Sequence, residues 1–175
     1  HYIKYDFFIN EEDIQMEIKV ELSKNLKQKP DMDNLGFGQY YTDHMFEMDY
    51  TEGIGWHDPR IVPFHNLEMS PCSMVLHYGQ TTFEGLKAYL GKDGEIRLFR
   101  PELNMERLNT SNQRLVIPQF NVEDGVEAIK KLVEVDKDWI PTGEGTSLYI
   151  RPFIIATDVH IGVHPAKTYK FKVQR

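Results

Sequence analysis

The chain has 175 residues, of which 41% are hydrophobic and 27% are charged, and this length accommodates one well-buried domain. Its formal net charge of −7, with no compensating basic cluster, opposes nonspecific attraction to nucleic acid. No apolar run approaches the roughly 20 residues that cross a bilayer, so the composition predicts neither a nucleic-acid-binding protein nor a membrane protein.

The cysteine content and the chain ends bear on the cellular location. Cys72 is the single cysteine, and the N-terminus lacks the basic, apolar and small-residue pattern of a signal peptide. These features predict a reducing, cytoplasmic compartment. The chain begins at His1 instead of a methionine and stops at Arg175 within an alternating segment, which predicts a piece of a longer polypeptide.

Two strands are predicted in the first third of the chain. Apolar and polar residues alternate over residues 14–22, which is the pattern of a half-buried strand. A polar loop follows over residues 23–34, and β-prone residues predict a second strand over about 41–50. Residues 51–60 are rich in turn formers, and residues 61–69 predict no more than a strand end.

Residues 76–107 predict a turn, a hairpin and the start of a helix. Tyr78 and Phe83 neighbour glycines, which allow a sharp turn or the close approach of a ligand. Asp93-Gly94 is the turn signal of a hairpin whose apolar residues face one buried side. This order of elements predicts a cradle for an anionic ligand.

Two helices are predicted. Pro101 suits the first position of a helix that runs to about Leu115 and carries Arg107. Asn121 resembles an N-cap, and apolar residues then recur at helical spacing until Pro141. The expected apolar stripes are Met105, Leu108 and Leu115 in the first helix, and Val126, Ile129, Leu132, Val133 and Trp139 in the second.

The last part of the chain predicts two more strands. Residues 147–157 read as a central strand with one interruption at Pro152, and a last alternating strand follows a loop that contains glycine and proline. Tyr149 and Arg151 leave the same face of the predicted strand roughly 6.6 Å apart. An arginine on an apolar face needs an anion, and spacing alone favours an ordinary internal carboxylate.

Other candidate sites have simpler explanations when spacing alone is considered. Arg107 is then a solvated helix arginine, and the aromatic residues beside glycines are core packing. His160 and His164 have a metal-like spacing, but Gly162 and Pro165 oppose the helix that would align them, so no metal site is predicted. Neither glycine-rich phosphate motif occurs, and no partner for a nucleophilic cysteine is evident.

Five segments together resemble the N-terminal part of the branched-chain amino acid aminotransferases, which are fold-type IV pyridoxal-phosphate enzymes. The segments are FGQYYTDHMFEMDY, PRIVPFHNLEMSPCSMVLHYGQTTFEGLKAYLG, EIRLFRPELNMERL, LVEVDKDWIP and GTSLYIRP. They occur in the family's order between about Gly36 and Val163, whereas the first 35 residues match less clearly. Several long motifs in one order make this resemblance far more specific than the spacings above.

The resemblance implies an α+β fold for the family's small domain, with a mostly antiparallel sheet and two main helices. Residues 36–175 would form this domain with an incomplete last strand, and residues 1–35 would be an N-terminal extension with one strand. The resemblance also implies a larger pseudo-barrel domain, pyridoxal 5'-phosphate between the two domains, and active sites that are completed across a homodimer.

The resemblance also implies roles for individual residues. Arg107, in NMER, matches the small-domain arginine that contacts the cofactor phosphate. The positions that match the substrate pocket are Phe37, Tyr78, Phe83, Tyr149, Arg151 and Val163. Arg151 is expected to contact the side-chain carboxylate of glutamate, whereas Tyr78 and Val163 are expected to reach the neighbouring subunit's pocket.

The implied reaction transfers the amino group of leucine, isoleucine or valine to 2-oxoglutarate, giving glutamate and branched-chain 2-oxo acids. In the family the lysine that forms the Schiff base lies in the large domain, and no lysine here matches it. No catalytic residue is therefore expected in this chain, which by itself is expected to be inactive. The alternatives are another fold-type IV enzyme, such as a D-amino acid aminotransferase or an aminodeoxychorismate lyase, and a non-catalytic dimerisation or interaction module.

Overall fold

The structure, a computed structural model, describes residues 16–31 and 34–175. These residues form eight strands, three α-helices and one 3₁₀ turn. The strands are β1 (Lys19–Val20), β2 (His44–Thr51), β3 (Gly55–Pro63), β4 (Thr81–Phe83), β5 (Leu86–Leu90), β6 (Ile96–Leu98), β7 (Leu148–Ala156) and β8 (Thr168–Gln174). The helices are α1 (Met74–Tyr78), α2 (Pro101–Arg114) and α3 (Val122–Val135), and the 3₁₀ turn is Lys137–Trp139.

The eight strands belong to one sheet. Its order is β1-β3-β2-β8-β7-β5-β6, and β4 also pairs with β7. β1 pairs with β3 in parallel, whereas the other pairs in the described residues are antiparallel. Together with two helices of 14 residues each, α2 and α3, this confirms the predicted α+β fold. Within the described ranges, no helix combines the length and the apolar character that a membrane span needs.

The two long helices close the hydrophobic core against the sheet. Met105 and Leu108 of α2 and Ile129 and Leu132 of α3 are fully buried, in one cluster with Phe171 of β8. Burying a side chain of this size contributes about 1.5–3 kcal/mol. This packing fixes the position of α2, and therefore of the polar residues that α2 presents on its other face.

The predicted start signals of both helices are confirmed. Pro101 is the first residue of α2, and the Asn121 side chain caps α3 by accepting a hydrogen bond from the backbone N–H of Asp124 at 3.1 Å. The prediction that Leu115 belongs to the apolar stripe is wrong, because α2 ends at Arg114 and Leu115 is 41% exposed.

The helix predicted to continue toward Pro141 is shorter than expected. α3 ends at Val135, and Trp139 lies in the following 3₁₀ turn. Trp139 is still buried, because its indole N–H donates to the Asp43 carboxylate at 2.7 Å. A long-range hydrogen bond, and not helical spacing, determines where this side chain lies.

The N-terminal strand is also shorter than predicted. Residues 14–15 lie outside the described ranges, and β1 comprises Lys19–Val20. This strand pairs at the edge of the sheet, where Val20 and Leu22 are exposed and Ile18 is partly packed against the core. The alternating pattern therefore belongs to an exposed edge strand.

The prediction of a turn-rich segment over residues 51–60 is wrong. The turn is restricted to residues 52–54, and β3 begins directly after it. Arg60 of β3 donates to the carboxylates of Glu47 and Asp49 on β2, each at 2.7 Å. Polar residues remain in the strand because their charge partners lie on the neighbouring strand, which the local sequence does not reveal.

The strand predicted over residues 147–157 is β7, but the expected interruption at Pro152 is wrong. Pro152 is buried and pairs in register with Val173 of β8. On the other side, β7 changes partner from β5 to β4, and the Pro152 carbonyl accepts a hydrogen bond from the N–H of Glu84 at 2.9 Å. In an antiparallel pair the N–H and C=O of one residue point to the same side, so the N–H that proline lacks would face the break between β4 and β5.

The predicted hairpin and glycine turn are confirmed in part. β5 and β6 pair around the expected two-residue turn, and Leu86 and Ala88 are buried, whereas Leu90 is exposed. The segment before β4 contains the short helix α1 in place of a simple turn. This helix ends at Gly79, whose φ of 60° is a left-handed value that glycine adopts without steric cost.

Candidate functional site

A segment of three residues, 83–85, contacts three of the predicted site residues. It lies where β4 ends and β5 begins, opposite the part of β7 that carries Tyr149 and Arg151. The contacts are Phe83 to Arg151, Glu84 to Arg107 and Gly85 to Tyr149. The break between two short strands thus brings the phosphate-binding candidate on α2 close to the substrate-binding candidates on β7.

Arg151 is held by aromatic residues. Its Nε and Nη2 donate to the hydroxyl oxygen of Tyr149 at 3.2 and 2.8 Å. Its guanidinium carbon lies 4.5 Å from the ring centroid of Phe83. The ring of Phe37 packs edge-on against Tyr149, with 5.1 Å between centroids. Four predicted substrate-pocket residues therefore form one cluster, the Arg151 cluster (Phe37, Phe83, Tyr149 and Arg151).

The internal carboxylate expected from spacing alone does not accompany Arg151. Among the described residues, its polar contact is the Tyr149 hydroxyl, and its other contacts are the rings of Tyr149 and Phe83. A guanidinium over aromatic faces is stabilised but keeps its full positive charge. Arg151 therefore retains the capacity to bind an anionic ligand.

A cavity of about 280 Å³ lies beside the Arg151 cluster. Phe37, Tyr149 and Arg151 contribute to its walls, together with Tyr41 and Trp139. Aromatic walls with a few polar groups are typical of sites for small molecules. The cavity can pack an aliphatic group against rings and place a charged group against Arg151.

Gly85 makes the position of Tyr149 possible. A Cβ atom at Gly85 would overlap the Tyr149 hydroxyl oxygen and lie 3.0 Å from its Cζ. A side chain at this position would displace the ring of Tyr149, and with it the oxygen that accepts both hydrogen bonds from Arg151. The requirement for glycine here comes from side-chain packing.

Arg107 forms a two-pronged ion pair with Glu84. Arg107 Nε donates to Glu84 Oε1 at 2.6 Å, and Arg107 Nη2 donates to Oε2 at 2.7 Å. The Glu84 side chain is only 5% exposed, whereas that of Arg107 is 68% exposed. Asn104 Nδ2 also donates to Glu84, at 3.0 Å. Arg107 is thus anchored at its inner edge and open to solvent at its outer edge.

The electrostatics of this pair favour the charged forms. Burial raises the pKa of Glu84, but the hydrogen bonds from Arg107 and Asn104 outweigh it, so the pKa lies below its ordinary value. The hydrogen bonds to Glu84 also raise the pKa of Arg107. A guanidinium has five N–H donors, and Glu84 takes two, so three donors of Arg107 remain for an anion.

Tyr78 and Val163 belong to a second group. The Tyr78 hydroxyl at the end of α1 donates to the backbone carbonyl of Ile161, which ties α1 to the loop between β7 and β8. Val163, in the same loop, is 83% exposed. In the part of the chain that the structure describes, no hydrogen bond or ring contact joins this group to Arg151.

The two histidines of this loop hold its backbone. Nδ1 of His160 and Nδ1 of His164 lie 3.0 and 2.9 Å from the carbonyl oxygen of Gly162, and Nε2 of His164 lies 3.2 Å from the Asp158 carboxylate. Across residues 16–31 and 34–175, no three His, Cys, Asp or Glu side chains are placed to hold a metal ion.

The sequence predictions did not include Glu84, Gly85 or Asn104 among the site residues. One local signal points to Glu84, because it is an acidic residue between two short β-prone stretches. Its partner Arg107 lies 23 residues further along the chain. Only the packing of α2 against β4 brings the two side chains together.

The chain is similar in sequence to curated aminotransferases. No protein-family model matches it. It is 59% identical to branched-chain-amino-acid aminotransferase 2 of Bacillus subtilis and 53% identical to branched-chain-amino-acid transaminase 1 of the same organism. It is 51% identical to a probable branched-chain-amino-acid aminotransferase of Staphylococcus aureus. The matches cover 89% of this chain but 43 to 44% of the relatives, so the chain spans less than half of their length.

Solved structures share the fold. The branched-chain amino acid aminotransferase of Escherichia coli has a TM-score of 0.55 and 25% identity, over 73% of this chain and 39% of that one. The T.th. enzyme, solved in complex with N-(5'-phosphopyridoxyl)-L-glutamate, has a TM-score of 0.52 and 27% identity, over 73% and 39%. This chain is therefore a homologue of one part of the branched-chain amino acid aminotransferases, and it has the fold of that part.

Proposed function

We propose that this chain is the small-domain portion of a branched-chain amino acid aminotransferase. The complete enzyme transfers the amino group of leucine, isoleucine or valine to 2-oxoglutarate, giving glutamate and branched-chain 2-oxo acids. The observation that carries the proposal is the Arg151 cluster, in which a guanidinium with no carboxylate contact among the described residues is packed between aromatic rings.

The Arg151 cluster suits two chemically different substrates. A branched aliphatic side chain packs against the rings of Phe37 and Phe83 without polar contacts. The side-chain carboxylate of glutamate or 2-oxoglutarate instead accepts hydrogen bonds from Arg151. One pocket can therefore accept both substrates in turn, as a transaminase of this kind requires.

Arg107 is proposed to contact the phosphate of pyridoxal 5'-phosphate. Its three remaining donors and its exposed outer edge fit a phosphate group. When bound, the cofactor supplies the electron sink for the movement of the amino group and the α proton. The phosphopyridoxyl-glutamate complex of the T.th. relative supports this choice of cofactor.

The remaining parts of the proposal concern assembly. Residues 36–175 correspond to the small domain and residues 1–35 to an N-terminal extension, while the cofactor-bearing lysine belongs to a large domain outside this sequence. Tyr78 and the exposed Val163 are proposed to reach the pocket of a second subunit in a homodimer. The proposed location is the cytoplasm. Because the chain spans 43% of its first relative, we infer that it does not transaminate alone.

The proposal is tested by measuring glutamate formation from leucine and 2-oxoglutarate with pyridoxal 5'-phosphate. The full-length polypeptide that contains this chain should form glutamate, and should use isoleucine and valine as well. The 175-residue chain should not exceed the rate of free cofactor. A full-length protein that rejects all three branched-chain donors would contradict the substrate assignment, and turnover by the chain alone would contradict its inactivity.

A further inference from the structure

The carboxylate of Glu84 is fully engaged although it is buried. It accepts hydrogen bonds from Arg107 Nε and Nη2, from Asn104 Nδ2 at 3.0 Å and from the backbone N–H of Gly85 at 3.3 Å. These four bonds match the acceptor capacity of an ionised carboxylate. A buried charge with its hydrogen bonds complete holds one position, because any movement leaves it unpaired in a poorly solvated place.

This anchor decides which part of Arg107 faces the solvent. Glu84 occupies the edge formed by Nε and Nη2, so the edge formed by Nη1 and the outer N–H of Nη2 stays open. That open edge is the end of the guanidinium, whose two parallel N–H groups match two oxygens of one phosphate. An exposed arginine without such an anchor would instead sample many rotamers and meet an anion in many orientations.

We propose that Glu84 is a positioning residue for the cofactor phosphate, acting through Arg107. The inference rests on the proposed function, because it requires that Arg107 contacts that phosphate. Glu84 does not touch the phosphate, and its negative charge by itself opposes an anion. Its favourable effect is to hold the open edge of Arg107 in one direction, at a fixed distance from the Arg151 cluster through its neighbours Phe83 and Gly85.

The test compares two ligands that differ only by the phosphate group. The full-length apoprotein is titrated with pyridoxal 5'-phosphate and with pyridoxal, and binding is followed by the absorbance of the bound ligand. Glu84→Gln keeps one acceptor oxygen but removes the charge and one strong acceptor. We expect it to weaken the binding of pyridoxal 5'-phosphate about tenfold and to leave the binding of pyridoxal unchanged.

A double-mutant cycle shows whether Glu84 acts through Arg107. Arg107→Gln should weaken the binding of pyridoxal 5'-phosphate at least as much as Glu84→Gln does. The double variant should bind no more weakly than Arg107→Gln alone. Glu106→Gln, the same change at an exposed residue of α2, is the matched control and should leave both affinities unchanged.

The outcomes separate this inference from the proposed function. Equal losses for both ligands, or an effect of Glu84→Gln that persists without Arg107, would overturn the positioning role. A wild-type protein that binds pyridoxal as tightly as its phosphate ester would instead overturn the phosphate assignment of Arg107. If Glu84→Gln does not fold, Asn104→Ala removes one donor from the same carboxylate, and a loss of about twofold that is confined to the phosphate ester is then required.

Discussion

The two arginines of the site meet their surroundings in opposite ways. Arg107 is exposed, and the buried carboxylate of Glu84 compensates its charge. Arg151 is half-buried and, in the described part of the chain, lies between Tyr149 and Phe83 without a carboxylate contact. The first guanidinium has a fixed direction, and the second has an uncompensated charge.

This difference matches the two anions that we propose as ligands. A phosphate is charged throughout the reaction, so a donor with one fixed direction serves it at every step. The substrate pocket must accept a neutral aliphatic side chain and a carboxylate in turn. An arginine packed between rings leaves apolar surface for the first and keeps positive charge for the second.

Replacing Arg151 by methionine should have the largest effect. Arg151→Met keeps an apolar side chain in the pocket but removes the partner of the substrate carboxylate. In the full-length protein, the half-reaction with glutamate should lose about 100-fold in kcat/KM, which corresponds to about 2.7 kcal/mol, whereas that with leucine should change less than about fivefold.

The control for this variant is Lys87→Met, which removes an exposed cation from β5 opposite Tyr149. It should leave both half-reactions unchanged. Equal losses with leucine and glutamate in Arg151→Met would show that Arg151 supports the fold of the pocket and not the recognition of a carboxylate.

Gly85→Ala should have an intermediate effect. The new methyl group overlaps the Tyr149 hydroxyl, so the ring must move and release Arg151. We expect a loss of about 1–3 kcal/mol in the free energy of unfolding, measured with urea, and about a tenfold lower kcat/KM for glutamate. In a Tyr149→Phe background the overlapping oxygen is absent, and the same change should cost clearly less stability. An equal cost in both backgrounds would contradict the proposed clash.

Asn121→Ala probes a region away from both arginines. The Asn121 side chain caps α3, and its removal should cost about 1 kcal/mol of unfolding free energy. The ratio of the leucine and glutamate half-reactions should stay the same, because the Arg151 cluster does not include α3. A change in that ratio would mean that general destabilisation also alters the cluster, which would weaken the interpretation of Gly85→Ala.

The smallest expected effect is a pH dependence at Glu84. Its pKa in the folded state is lowered from the ordinary value of 4.5, so its contribution to stability is present above pH 4.5 and is lost as the pH falls through the lower, folded-state pKa. The difference in unfolding free energy between wild type and Glu84→Gln should therefore shrink below pH 4.5. Solvent around Arg107 limits its size. A difference that grows on acidification would contradict the ion pair.

Sequence reasoning succeeded where the determining residues are close together in the chain. Pro101 and Asn121 start their helices as predicted, because capping and first-turn preferences act within four residues. It failed at β3, where Arg60 is held by carboxylates of another strand, and at Pro152, where a change of strand partner makes proline acceptable. Neither cause lies near the misread residue.

The sequence by itself determined the positions of the long helices, the alternating last strand and, through the family resemblance, the set of candidate site residues. Only the tertiary structure decided that Glu84 and Gly85 belong beside that set. Their roles depend on distances to Arg107 and Tyr149, which lie on other elements. Local patterns encode periodicity and caps, whereas the direction of a guanidinium and the room for a hydroxyl group follow from how the elements pack.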